Sequence, residues 1–160
     1  MTRLRLAAAV VVALAALAGG CGGSKPAPPP PPARIVATFA AAADLNPNLS
    51  GRPSPIAVRL YELKSPGAFQ AGGFRALYDQ PEAALAGELT ASDELFLQPG
   101  ESRRIQRTLD PQTRHLGLLA AYRDLDNAQW RALVTVPPNR TTAVTITLSR
   151  SAIGAAAAGN

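Results

Sequence analysis

Ile56-Ala57-Val58-Arg59-Leu60-Tyr61 decides how the chain is read. Ile56, Val58 and Leu60 alternate with Ala57, Arg59 and Tyr61, the period of two that a strand with one buried face requires. The same period recurs on both sides. Ile35–Ala40 reads as an earlier strand. Leu95-Phe96-Leu97 ends at Gln98-Pro99-Gly100, where Pro then Gly marks a type II turn. Ser102–Leu109 follows and closes at Asp110-Pro111; its arginines suit an edge or a solvated face. Leu116, Leu118, Ala120 and Tyr122 form one face of the next strand, which ends at Asp124-Leu125-Asp126-Asn127. Trp130, Ala132, Val134 and Val136 form another, with Trp130 expected in the core. After Pro137-Pro138-Asn139, Val144, Ile146 and Leu148 face inward while Thr145 and Thr147 face out. Seven strands with short later turns predict a mainly β chain, an antiparallel sandwich.

One stretch, about residues 65–84, breaks the period. Ser65-Pro66 has the form of an N-cap followed by proline at the first helical position. Phe74, Leu77 and Tyr78 then share one helical face, Gly72-Gly73 interrupts, and Pro81 ends or kinks the run. Two short helices are expected, inserted over one end or face of the sandwich. The domain is therefore read as residues 34–151, with residues 152–160 as a disordered tail, because Ala155–Asn160 offers nothing to pack.

Ahead of it, Met1–Leu6 carries Arg3 and Arg5, and Ala7–Ala18 is an uncharged apolar run of twelve residues. About 20 apolar residues are needed to span a bilayer, so residues 1–20 read as a signal peptide. Leu17-Ala18-Gly19-Gly20-Cys21 resembles a bacterial lipobox, which implies acylation of Cys21, the only cysteine of the chain. Ordinary cleavage after Ala18, leaving a free thiol, is the other reading. Gly22 after the cysteine implies, by the same resemblance, sorting to the outer membrane. Residues 21–33 then form a lipidated cysteine and a tether. Half of Gly22–Ala33 is proline, so the segment is expected as extended polyproline II reaching about 37 Å.

Composition excludes several chemistries. A single cysteine rules out an intramolecular disulfide framework, and a single histidine leaves little for a metal cluster. From Cys21 onward there are 14 basic and 11 acidic residues, too slight and scattered an excess for nucleic-acid binding. No G-x-S-x-G elbow and no phosphate-binding glycine loop is present. Asp124 and Asp126 read as turn residues, and Asp93-Glu94 as a solvated strand entry. No catalytic constellation, metal site or cofactor site emerges.

The connection between the first two strands is different. Asp44-Leu45-Asn46-Pro47-Asn48-Leu49-Ser50-Gly51-Arg52-Pro53-Ser54 is far longer than a hairpin loop and carries two leucines. It is either a binding loop or a crossover whose leucines cap the sandwich.

A family resemblance bears on that choice. Asn46-Pro47, Gly51–Pro55 and Val58–Lys64 resemble the outer-membrane lipoprotein of type VI secretion systems, the J component. Phe74–Tyr78, Leu97–Glu101, Leu116–Asp124 and Trp130-Arg131 with Val134 are similar too, in the same order. The resemblance implies a transthyretin-like β-sandwich with a helical addition, anchored in the outer membrane and facing the periplasm. It implies a structural protein that binds the periplasmic C-terminal part of the inner-membrane M component. It makes Asp44, Leu45, Asn46, Pro47, Asn48, Leu49, Ser50, Gly51 and Arg52 the contact, with no cofactor and no enzymatic role. The competing reading is a transthyretin-like or immunoglobulin-like periplasmic module that takes a small ligand or peptide in a pocket.

Overall fold

The computed structural model describes residues 30–158. The signal peptide, Cys21 and most of the tether lie outside the described residues. Eight strands form two four-stranded sheets. In chain order they are β1 (Arg34–Ala41), β2 (Ile56–Leu63), β3 (Leu89–Leu97), β4 (Ser102–Thr108), β5 (His115–Ala120), β6 (Arg131–Thr135), β7 (Thr141–Leu148) and β8 (Ile153–Ala157). Sheet A has the order β4-β1-β7-β8 and sheet B the order β3-β2-β5-β6. All neighbours are antiparallel except β1 and β7, which run parallel.

The two sheets pack face to face. Ile35, Ala37 and Phe39 of β1 and Val144, Ile146 and Leu148 of β7 meet Ile56, Val58, Leu60, Leu116, Leu118 and Ala120 of sheet B. These are the alternate positions of each strand, as period two demands. β4 is an edge strand, as its arginines led one to expect, and Arg107 pairs with Asp93 of β3 across the two sheets. Asp93 and Glu94 lie within β3 rather than at its start, and Glu94 pairs with Arg59 at 2.8 Å.

The helical insertion lies on the outer face of sheet B. It comprises α1 (Gly67–Ala71), α2 (Phe74–Asp79) and α3 (Pro81–Leu85), followed by a 3-10 turn at Ala86–Glu88. Three helices replace the two expected, because Pro81 both stops α2 and starts α3 at its first turn. Ser65 does not cap α1. The Glu88 carboxylate accepts the Ala68 N–H at 3.0 Å instead, so a residue 20 positions downstream satisfies that donor. Phe69, Leu77 and Leu85 bury against Tyr61, Leu63 and Leu119, forming a second core. The Tyr61 hydroxyl donates to the Leu77 carbonyl at 2.7 Å. Gly117 is required here: a Cβ would lie 2.9 Å from the Phe69 ring.

Two expectations are corrected. The supposed disordered tail, residues 152–160, contains β8, which pairs with β7 from Leu148↔Ile153 to Val144↔Ala157. Alanines carry no periodic signal, yet their backbone groups complete a ladder, and Ile153 anchors the strand in the core. Trp130 does not lie fully inside the sandwich. It sits half-buried at the edge between both cores, with its ring edge-on to Phe74 at 5.4 Å.

Candidate functional site

Leu45 and Leu49, the two leucines of the β1–β2 connection, have opposite fates. Leu45 is wholly buried and joins the main core; Leu49 is fully exposed. The connection is therefore divided in two. The first half caps the sandwich and the second half projects from it.

Asn46 separates the halves. It is 3% exposed, with φ of +45°, a backbone state asparagine tolerates. Its side-chain N–H donates to the Pro55 carbonyl and its side-chain oxygen accepts the Arg123 N–H, both at 2.9 Å. Its backbone N–H donates to the Arg150 carbonyl at 3.2 Å. One residue thus ties the loop to the β5–β6 turn and the β7–β8 turn. Asn46 is spent internally and does not face a partner.

Asn48 shapes the tip. Its side-chain oxygen accepts the N–H groups of Ser50 and Arg52 at 3.0 and 2.9 Å. Its backbone N–H donates to the Arg52 carbonyl, and its carbonyl accepts the Gly51 N–H at 2.8 Å. Gly51 takes φ of +76°, which only glycine adopts without strain. This small closed turn holds Leu49 out in water, an arrangement that intraloop packing does not repay. Pro47, Ser50 and Arg52 surround it. Asp44 is exposed at the start of the loop, and Ser54 is buried, its N–H donating to the Leu45 carbonyl at 3.0 Å.

The loop forms one wall of a cleft of about 820 Å³. The opposite wall is Tyr122, Arg123, Asp124, Asn127, Arg150 and Ser151. Asp124 is engaged by the Asn127 side chain at 2.9 and 3.1 Å. Arg123 and Arg150 are exposed and, among the described residues, neither has a carboxylate within salt-bridge distance. The Tyr122 hydroxyl donates to the Ser149 carbonyl at 3.2 Å. Burial pushes its pKa far above the ordinary phenol value, so it remains a donor. Nearby, Glu101 closes the type II turn after β3: its carboxylate is held low by the Gln98 N–H and then by Arg103. The far wall was not visible in the sequence, where Tyr122 read as a strand position and Asp124 and Asn127 as a turn. Their meeting with Asn46 depends on β1 and β7 running parallel into one end of the sandwich.

The arrangement offers binding chemistry: an exposed apolar tip, hydrogen-bonding groups and free guanidinium groups. Among the described residues no group of three metal-ligating side chains converges. Nor, among them, is any helix long and apolar enough to cross a membrane.

Comparisons with known proteins bear on the fold and the family. Residues 33–151 match the family model described as "Type VI secretion lipoprotein, VasD, EvfM, TssJ". The chain is similar to the crystal structure of the type VI secretion lipoprotein TssJ1 from Pseudomonas aeruginosa. The identity is 49% with a TM-score of 0.78, over 81% of this chain and 99% of that one. It is also similar to Lip of Serratia marcescens, a membrane-bound component of the type VI secretion system, at 25% identity and a TM-score of 0.71. There the match covers 81% of this chain and 98% of the other. A chain of a type VI membrane complex matches at 25% identity and a TM-score of 0.66, covering 75% of this chain and 95% of that one. No curated protein matches it. With most of its length matched by the model and a relative at nearly half identity spanning its folded body, the chain belongs to the type VI secretion lipoprotein family, whose members are structural components and not enzymes.

Proposed function

We propose that the protein is held at the periplasmic face of the outer membrane by an acylated Cys21. There it binds the periplasmic C-terminal domain of the system's inner-membrane M component through Asp44–Ser54. The observation that carries this reading is Leu49, an exposed leucine presented on a loop whose base is locked by Asn46 and whose tip is locked by Asn48. A pre-ordered loop loses little entropy on binding, and an apolar anchor ringed by polar groups is the usual form of a hot spot. Placement supports it too. β1 begins at Arg34, where the tether joins, and ends at Ala41, just before the loop, so the two junctions lie at opposite ends of a strand roughly 23 Å long.

Leu49→Asp and Arg52→Glu test the loop. Both residues are exposed, so the thermal melts should shift little, within about 0.5 kcal/mol. Affinity for the purified periplasmic domain should fall about thirtyfold or more for Leu49→Asp. Undiminished affinity in both variants would move the interface to the helical insertion around Phe74–Tyr78. Cys21→Ser tests the anchor: the variant should leave the membrane fraction or accumulate unprocessed, and labelling with a clickable fatty acid should be lost.

A further inference from the structure

The end of the sandwich opposite the loop carries a cluster of unpaired basic side chains. Residues 34–158 contain thirteen basic and eleven acidic side chains. Arg34 opens β1, and its N–H donates to the Arg140 carbonyl at 2.9 Å. Arg114 opens β5. Its N–H donates to the Leu63 carbonyl, next to Lys64, and its carbonyl accepts the Val136 N–H, both at 2.8 Å. Arg34, Lys64, Arg114 and Arg140 are all exposed, and none has a carboxylate within salt-bridge distance among the described residues. The acidic groups at this end are engaged. Glu62, 2% exposed, accepts the Asp110 N–H at 3.0 Å and the Thr113 hydroxyl at 3.1 Å, and pairs with Arg107 at 3.4 Å. Asp110 accepts the Gln112 N–H, and Glu88 accepts that of Ala68.

The tether enters here. Ala33 is buried, and its carbonyl accepts the Leu109 N–H at 2.9 Å, so the chain emerges at the same end as the four cations, beside Arg34 and Arg140. We infer that this basic collar docks on anionic phospholipid headgroups of the bilayer in which the anchor sits. The inference rests on the acylated Cys21 of the proposed function. Each basic residue near an anionic surface adds roughly fivefold to its occupancy at physiological salt, falling off within about a Debye length. Four such residues hold a free protein weakly. On a twelve-residue tether the contact is intramolecular, at an effective concentration on the order of millimolar, and weak attraction suffices.

The test uses the full lipidated protein in vesicles, with a donor fluorophore on Thr108→Cys, an exposed position at the collar end, and acceptor lipids in the bilayer. Flotation and the mass of the Cys21 peptide first establish anchoring, so failure of the lipid-anchor reading shows there and is separate from failure of docking. Energy transfer should be higher in bilayers with 25 mol% phosphatidylglycerol than in pure phosphatidylcholine. Salt at 0.5 M should abolish the difference. So should the combined variant Arg34→Gln, Lys64→Gln, Arg114→Gln, Arg140→Gln, with its melt confirming the fold. Equal transfer in both bilayers at low salt, for the wild-type collar, would overturn the inference. Equal transfer together with charge-dependent co-sedimentation on purified peptidoglycan would reassign the collar to the cell wall and overturn it equally.

Discussion

Sheets A and B have the same number of strands but different surroundings. Sheet A keeps one face in water: Thr141–Leu148 alternates strictly between exposed and buried. Sheet B is covered twice, by sheet A on one side and by α1–α3 on the other. Its central strands lose alternation, with five of the six residues of His115–Ala120 buried. The difference teaches that period two marks a strand only while one of its faces is wet. It also divides the labour of the molecule. The doubly covered sheet is the rigid part, and the end loops hang from a frame it stiffens.

That contrast can be broken most severely at Phe69, which fills the second core. Phe69→Ala should cost about 3–5 kcal/mol, read as a large drop in the denaturant midpoint, and should free the helical insertion to limited proteolysis. Gly117→Ala drives a methyl toward the same ring from the strand side and should cost about 1–3 kcal/mol by overpacking. Asn46→Ala leaves the part-buried Arg123 N–H and Pro55 carbonyl without their partner. It should cost about 1–3 kcal/mol and speed amide exchange in the loop, so weaker partner binding by this variant would report lost positioning. Trp130→Ala should fall below Phe69→Ala, at about 1.5–3 kcal/mol, because part of the ring is already solvated. Thr145→Val, on the bare face of sheet A, should shift the melt by no more than about 0.5 kcal/mol. A Thr145→Val effect as large as that of Gly117→Ala would show that sheet A's outer face is covered as well.

The same contrast explains what the sequence discloses. Sheet A was legible from Val144, Ile146 and Leu148. The helical insertion was legible from Phe74, Leu77 and Tyr78, but the burial of Tyr61 was not, since its cover comes from residues that follow it. β8 escaped notice because a run of alanines has no pattern and draws its order from a neighbour. At the site, the loop's length marked it out. What length could not tell is that Asn46 turns inward and Leu49 outward; that depends on Arg123 and Arg150, which lie far off in the chain. Cys21 stands on the lipobox resemblance alone.

β1 has a mechanical consequence. The covalent chain runs from the tether at Ala33 through Arg34–Ala41 directly into the loop that carries Leu49 at its tip. A tension applied between those two points passes along one continuous backbone. It does not have to cross between sheets or through the hydrophobic core. The ladders from β1 to β4 and β7 run along that pull and hold the strand in line. The remaining strands act as a sleeve that keeps a load-bearing cord straight, and they carry little of the load themselves.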